Sequence, residues 1–289
     1  MTILQMILLA VIQGTAELLP VSSSAHVIVA EKLMGLDPST PKMTFFLVML
    51  HTGTMFAVLL YFWPRWRKLK MDFLKMTLLA TAITGGVGLG LKKLIEKVIL
   101  GYFIGESHAE IESLFKSLPL IGCSLLSVGI LILIAGRREG ASTGSAITPR
   151  ASVRIGIVQG LCLPFRGFSR SGATISTALL SGIGRAIAED FSFALAVLLT
   201  PPVVFLELHR LVKSVNPEGT GLLTGLSNLG ALLPEIFGPG LLGMVFSFAA
   251  GLLALRWLSA WLESGKWRFF GFYCIFFSLV VFSLQGLGY

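Results

Sequence analysis

The chain has 289 residues, of which 54% are hydrophobic and 13% charged, and its mean hydropathy is +0.84. A soluble domain of this length carries about a quarter charged residues, so this composition excludes a water-soluble globular protein. The net charge of +8 does not indicate nucleic acid as a partner. The Lys and Arg residues lie in short loops beside apolar segments, where they act as topology determinants and headgroup contacts.

Six apolar segments each have close to the roughly 20 residues that a membrane-spanning helix needs. They are Met43–Trp63, Phe73–Leu91, Leu118–Ala135, Phe191–Leu211, Leu241–Leu262 and Phe269–Leu287. Charged residues or Gly and Pro flank each of them. The sequence therefore predicts an all-α polytopic membrane protein, with residues 1–289 forming a single transmembrane domain.

Two further apolar segments are each interrupted by polar residues. Their halves are Ile3–Leu19 with Ala25–Leu36, and Val153–Leu163 with Ala173–Ile183. In each segment a proline, Pro20 or Pro164, ends the first half, and serines precede the second half. Irregular backbone at membrane depth must be shielded by protein or line a wet cavity. This pattern predicts two re-entrant helical hairpins.

The two hairpins resemble each other, since Gln13-Gly14 in the first corresponds to Gln159-Gly160 in the second. Each hairpin precedes three long spans, and an odd number of spans inserts the second copy upside down. Inverted repeats of this kind bring their broken helices together near the midplane. We therefore expect an inverted repeat of three spanning helices plus one re-entrant helical hairpin per half, with repeat one at about 1–136 and repeat two at about 151–289.

Positive residues orient these spans. They follow the first and third spans: Arg65, Arg67, Lys68, Lys70, Arg137, Arg138, Arg150 and Arg154. Loops rich in Lys and Arg stay in the cytoplasm, which places the residues before Met43 outside. Lys92, Lys93 and Lys97 fall on the opposite side, where acidic residues accompany them.

The first polar break contains Gln13 and Glu17, which share a helix face because they lie four residues apart. An ionisable side chain inside a membrane costs several kcal/mol unless it is paired or hydrated, so each one is a functional candidate. Ser22, Ser23, Ser24 and His26 follow. A carboxylate, hydroxyls and an imidazole together can hold a divalent cation and move protons.

The second polar break is rich in anion-binding groups. It contains Arg166, Ser169, Arg170, Ser171, Gly172 and Thr174. Guanidinium forks suit phosphate oxygens, and a helix that starts at Gly172 offers free N–H groups to an anion. One break is therefore suited to metal and protons and the other to anions, a combination that fits phosphoanhydride chemistry.

Both motifs resemble those of the undecaprenyl-diphosphatase family, the bacitracin-resistance membrane phosphatases. The resemblance rests on the Gln-x-x-x-Glu pair at 13 and 17, on Leu-Pro-Val-Ser-Ser-Ser-Ala-His at 19–26, and on Gly-Phe-Ser-Arg-Ser-Gly-Ala-Thr at 167–174. Leu-His-Thr-Gly-Thr at 50–54 adds to it, and the similarity covers the whole chain.

The resemblance implies a bacterial inner-membrane enzyme that removes the terminal phosphate of undecaprenyl diphosphate and so recycles the lipid carrier for cell-wall synthesis. Its partners would be this polyisoprenyl diphosphate lipid and membrane lipids, and a homodimer is kept as an option. Its active site would face the extracytoplasmic side. It also implies Mg²⁺ or Ca²⁺ at Glu17 with Gln13, Ser23 as nucleophile or phosphate contact, and the motif histidine at His26. Ser169, Arg170 and Thr174 match the phosphate-binding motif.

Three positions depart from the family pattern. Gln13 stands where many members have glutamate, which removes one negative charge and should weaken cation affinity. Arg166 replaces a usual proline and adds either a phosphate contact or a headgroup contact. Ala25 replaces a usual glycine before His26. We expect Glu17, Ser23, His26 and Arg170 to be catalytic, with His26 as general base for Ser23 or for a water.

Each assignment has a structural alternative. Arg170 would form an ion pair with Glu17, Ser22 to Ser24 would cap the helix near Ala25, and Arg166 would snorkel to the interface. His51 is interpreted as packing or hydrogen bonding inside the bundle, and Glu31 and Asp190 as solvated interfacial charges. At the level of function, the alternative is an inverted-repeat transporter or lipid-carrier flippase, because broken helices are common in transporters.

Overall fold

A computed structural model describes residues 1–97, 114–115, 117–138, 141–215, 237–256 and 267–289. Within these ranges the regular structure is helical, and only an isolated bridge between Gly144 and Ile183 has β character. The helices are α1 Ile3–Ala16, α2 Ser23–Leu33, α3 Pro41–Trp66, α4 Met71–Leu94, α5 Leu118–Ala135, α6 Pro149–Cys162, α7 Arg170–Leu180, α8 Arg185–Val215, α9 Phe237–Arg256 and α10 Trp267–Gly286.

Among the helices in the described ranges, six are long and apolar enough to cross a membrane: α3, α4, α5, α8, α9 and α10. These helices confirm the six predicted spans. Helix α8 begins six residues before the predicted span, and Arg185 and Glu189 pair at 2.8 Å on its first turns. Such i,i+4 pairs support a helix where the hydrophobic pattern is weak. The last residues of the predicted span Leu241–Leu262, at 257–262, lie outside the described residues.

The four remaining helices form two pairs of matching length. Helices α1 and α6 each have 14 residues, and α2 and α7 each have 11. At 1.5 Å per residue these lengths correspond to about 21 Å and about 16 Å, which is too short to span a bilayer. Thr2 caps α1 and Thr148 caps α6 by accepting a hydrogen bond from the backbone. Both α1 and α6 end shortly before a proline, as expected.

Glycines allow the short helices to pack closely against long ones. A Cβ added to Gly14 on α1 would lie 2.6 Å from the Cβ of Ala250 on α9, and one added to Gly160 on α6 would lie 2.6 Å from the Cβ of Val87 on α4. Real Cβ atoms do not approach so closely, so both contacts require glycine. Helix α3 packs on α8, and α5 packs on α10.

The breaks after α1 and after α6 meet inside the bundle. The Ser171 hydroxyl donates to the Leu19 carbonyl at 3.2 Å, and the thiol of Cys274 on α10 donates to the Pro20 carbonyl at 3.4 Å. The largest hydrophobic cluster among the described residues surrounds this junction and includes Val21, before α2, and Ala173, on α7. The fold thereby places the two polar motifs next to each other.

Candidate active site

Glu17 joins the two polar motifs. It caps the C-terminus of α1, and its side chain is only 12% exposed. Oε1 accepts a hydrogen bond from Nη2 of Arg170 at 2.5 Å, across 153 residues of sequence. Oε2 accepts from the Ser23 hydroxyl at 2.5 Å and from Nε2 of Gln13 at 2.9 Å. Both oxygens of the carboxylate therefore accept hydrogen bonds, and the donors come from both polar motifs.

Two serine-capped helix starts deliver Ser23 and Arg170 to Glu17. The Ser22 hydroxyl accepts from the Ala25 amide and caps α2, and the Ser169 hydroxyl accepts from the Gly172 amide and caps α7. Ser22 has φ 67°, a left-handed conformation that a residue with a Cβ rarely adopts. Helix N-termini carry partial positive charge, so both helix starts favour an anion at their junction.

The hydroxyls of the two capped turns form similar pairs. The Ser22 and Ser24 hydroxyl oxygens lie 3.4 Å apart, and those of Ser169 and Ser171 lie 3.4 Å apart. The capping alternative, which was stated for Ser22 to Ser24, is what the structure shows for Ser22, and Ser169 caps α7 in the same way. Their predicted contacts to substrate, and those of Ser24, Ser171 and Gly172, stay predictions.

A residue that the sequence did not single out holds the far side of Arg170. The second amino group, Nη1, donates to the Ser192 carbonyl on α8 at 3.3 Å. The Thr174 and Ser192 hydroxyls lie 2.6 Å apart, and the Thr174 hydroxyl also donates to the Arg170 carbonyl at 2.8 Å. The sequence signal that could have identified Ser192 is a polar residue inside an apolar span, and the structure shows that it is buried. The guanidinium is therefore held between the Ser192 carbonyl and the Glu17 carboxylate, and Thr174 connects the Ser192 hydroxyl to the first turn of α7.

His51 on α3 belongs to the same cluster. Its Nε2 lies 3.4 Å from Oε2 of Glu17, and its Nδ1 contacts the Leu47 carbonyl at 2.8 Å. The sequence interpretation gave it only packing or hydrogen bonding, and so missed its contact with Glu17. An ionisable residue inside a spanning segment was the signal that could have identified it.

His26 lies away from Glu17. Its Nδ1 contacts the Ser22 carbonyl at 2.8 Å, and its Nε2 contacts the Tyr273 hydroxyl at 2.7 Å. Its ring also stacks on Phe277 with ring centroids 4.0 Å apart. Both ring nitrogens are thus engaged with groups other than Ser23, and the general-base role expected for His26 stays a prediction.

Arg166 lies before the capped turn of α7. Its guanidinium carbon is 4.2 Å from the centroid of the Phe115 ring, close to the start of α5. Its predicted contact with a phosphate of the substrate stays a prediction.

Two acidic residues were interpreted wrongly as solvated interfacial charges. Glu31 is 1% exposed and Asp190 is 3% exposed. Asp190 forms an ion pair with Arg65 at 3.0 Å, which ties α8 to the end of α3. Burial of an acidic group depends on neighbouring helices, and a hydropathy pattern along one segment does not contain that information.

The residues around Glu17 fit a divalent cation that also binds phosphate. Within the described ranges no cluster of three or more His, Cys, Asp or Glu side chains occurs, so a cage made by the protein alone is not found there. Oε1 of Gln13 is buried without a hydrogen-bond partner, next to Glu17. Mg²⁺ usually takes one or two carboxylates and completes its shell with water and substrate phosphates, and this donor set suits it.

Comparison with known proteins agrees with the geometry. Residues 6–280 match the family model described as bacitracin resistance protein BacA. The chain is 56% identical over 291 residues to undecaprenyl-diphosphatase 2 of Acinetobacter baylyi, covering 98% of both chains. It is 33% identical over 285 residues to undecaprenyl-diphosphatase of Desulforudis audaxviator, covering 95% of both, and 34% identical over 286 residues to that of Desulfosudis oleivorans, covering 94% of both. The chain belongs to the BacA family of bacitracin resistance proteins.

Proposed function

We propose that this membrane protein is a phosphatase that hydrolyses undecaprenyl diphosphate to undecaprenyl phosphate and inorganic phosphate. The observation that carries the proposal is the contact between Glu17 and Arg170, which joins a carboxylate and a phosphate-binding cation in one site. Family membership and the names of the relatives support the same reaction. The product is the lipid carrier that cell-wall synthesis reuses.

Ser23 is the nucleophile in this proposal. Its hydroxyl donates to Oε2 of Glu17 at 2.5 Å, so the carboxylate can take the proton as the Ser23 oxygen attacks the terminal phosphorus. The bond between that phosphorus and the bridging oxygen breaks, and undecaprenyl phosphate leaves with the bonding electrons. Glu17 gives this proton to the departing undecaprenyl phosphate. Water then attacks the phosphoserine while Glu17 takes a proton from it, the bond between phosphorus and the Ser23 oxygen breaks, Glu17 returns the proton to Ser23, and inorganic phosphate leaves. His26 acts as a positioning residue, since it holds the Ser22 carbonyl.

Arg170 stabilises the charge that develops on the phosphoryl oxygens. The Ser192 carbonyl and the Glu17 carboxylate each accept a hydrogen bond from its guanidinium, so little reorganisation is needed during the reaction. The free N–H groups at the starts of α2 and α7 add positive potential at the same point. In-line phosphoryl transfer depends mainly on such positioning and electrostatic stabilisation.

A divalent cation, Mg²⁺ or Ca²⁺, completes the site. Glu17 and Gln13 would hold it, and when bound it neutralises charge on the phosphate oxygens. The unpartnered Oε1 of Gln13 supports this assignment. A neutral amide in place of a second carboxylate predicts a weaker cation site.

The finer architecture in this proposal is an inverted repeat with two re-entrant hairpins. Matching helix lengths support it. So does the packing, because α1 of the first repeat packs on α9 of the second through Gly14, while α6 of the second packs on α4 of the first through Gly160.

The protein would lie in the bacterial inner membrane. The basic residues after α3 and α5 favour a cytoplasmic position for those ends, so the opposite, extracytoplasmic end would admit the diphosphate.

Phosphate release from undecaprenyl diphosphate by the purified protein in detergent tests the proposed function. We expect one phosphate per lipid, with loss of release when EDTA removes the cation. Transbilayer movement of the lipid carrier without any phosphate release would instead support the transporter alternative and reject the phosphatase.

A further inference from the structure

The turn before α2 contains a strained backbone conformation. Ser22 has φ 67° and ψ 84°, and it is the one non-glycine residue with positive φ among the residues that the structure describes. A side chain makes this left-handed region roughly tenfold less populated than its right-handed counterpart. Ser169, the capping serine of the second hairpin, has φ −47°, so a capping turn of this kind does not itself require positive φ. Contacts from outside the turn must therefore hold Ser22.

The imidazole of His26 makes the first of these contacts. Its Nδ1 lies 2.8 Å from the Ser22 carbonyl oxygen, to which the His26 backbone amide also donates at 3.3 Å. A carbonyl oxygen can only accept, so the ring carries its proton on Nδ1. Nε2 of the neutral ring then accepts, and the Tyr273 hydroxyl donates to it at 2.7 Å. One chain of hydrogen bonds thus runs from Tyr273 on α10 to the backbone of Ser22.

Helix α10 holds this chain in place. The His26 ring lies flat on the ring of Phe277, with 3° between the ring planes and 4.0 Å between the centroids. Since the Cys274 thiol donates to the Pro20 carbonyl, two adjacent residues of α10 reach both sides of the strained turn. The second hairpin has Ala173 at the position of His26, and its capping serine has negative φ. The strained turn and the imidazole therefore occur in the same hairpin.

We propose that Tyr273 is a positioning residue for the nucleophile Ser23. Acting through the His26 ring, the Tyr273 hydroxyl keeps Ser22 in the left-handed conformation, which sets the direction in which α2 starts. Ser23 is the first residue of α2, so its hydroxyl stays in contact with Glu17 at 2.5 Å. The inference rests on the proposed function and adds to it a residue of α10, outside both polar motifs, on which the placement of the nucleophile depends.

The effect of Tyr273→Phe on kcat in three backgrounds, wild type, Ser22→Ala and Ser22→Gly, tests this inference with undecaprenyl diphosphate as substrate. Alanine and glycine both remove the capping hydroxyl, but only glycine adopts positive φ about as readily as negative φ. We expect Tyr273→Phe to lower kcat about tenfold in the wild type and in the Ser22→Ala background. In the Ser22→Gly background the loss should be less than about twofold, because about half of the molecules keep the left-handed turn unaided. KM should stay within about twofold, since Arg170 is not displaced.

Tyr289→Phe, which removes an exposed hydroxyl beyond α10, is the matched control and should leave kcat unchanged. A folding defect of Tyr273→Phe, measured by the thermal midpoint in detergent, would lower activity by the same factor in all three backgrounds. Equal losses in the Ser22→Ala and Ser22→Gly backgrounds, or an unchanged kcat of Tyr273→Phe in the wild type, would overturn the inference. Absence of phosphate release from the wild type would reject the proposed function instead, so the two failures are distinguishable.

Discussion

Ser23 and Arg170 occupy the same position in two different helices, one residue after the capping serine, and both donate a hydrogen bond to Glu17. Ser22 caps the helix of Ser23, and Ser169 caps the helix of Arg170. The distances to the carboxylate are 2.5 Å in both cases. The two helix starts therefore bring a hydroxyl and a cation to one carboxylate, which suits the proposed phosphoryl transfer to Ser23.

Replacing Ser23 by alanine should abolish turnover, because the proposed mechanism needs its hydroxyl to attack phosphorus. We expect kcat to fall by at least about 10³-fold, as for other nucleophile removals. Ser24→Ala, one residue along the same turn, is the control and should retain most activity. Rapid quench with labelled substrate should trap phosphoserine in the wild type, and turnover by Ser23→Ala at a normal rate would contradict this role.

His51→Asn should slow the reaction although the sequence analysis assigned His51 no chemical role. The imidazole lies 3.4 Å from Glu17 and helps to fix the carboxylate, so we expect kcat to fall by about 10²-fold, within the range for a positioned acid–base group. His209→Asn on the exposed face of α8 is the matched control. Equal activities of the two variants would argue that His51 has only a packing role.

His26→Gln should leave the pH dependence of kcat unchanged. Both imidazole nitrogens contact other groups, the Ser22 carbonyl and the Tyr273 hydroxyl, so the ring serves to hold the start of α2. We expect a fall in kcat of about tenfold or less, below the full contribution of a general base, and a similar effect from Tyr273→Phe. Loss of one limb of the pH–rate profile in His26→Gln would restore the sequence-based assignment of His26 as general base.

Gly14→Ala should destabilise the fold. The added Cβ would lie 2.6 Å from the Ala250 Cβ and 2.7 Å from the Ser247 carbonyl oxygen, so α1 and α9 must separate. Such overpacking typically costs about 1–3 kcal/mol of unfolding free energy. Gly86→Ala on α4 meets nothing within 4 Å and should keep or slightly raise the thermal midpoint in detergent, since alanine favours a helix. The reverse order of the two midpoints would contradict the packing of α1 on α9.

The six spans follow from the sequence because bilayer thickness fixes the length of an apolar helix. The breaks follow too, since Pro20 and Pro164 cannot continue the helices that precede them. The meeting of Glu17 with Arg170 was foreseeable because charged groups in lipid seek partners. The sequence did not predict the contacts of His51 and Ser192, or the burial of Glu31. These depend on which helix faces come together, and no periodicity within one segment specifies that.

The central claim is that Glu17 and Arg170 act as one unit on the diphosphate. The measurement that tests it most directly is phosphate release from undecaprenyl diphosphate by Glu17→Gln, Arg170→Gln and the double variant. We predict that each single change lowers kcat by at least about 10³-fold and that the double change lowers it no further, as for residues that function together. A single variant that keeps near wild-type turnover, or losses that multiply in the double variant, would contradict the account.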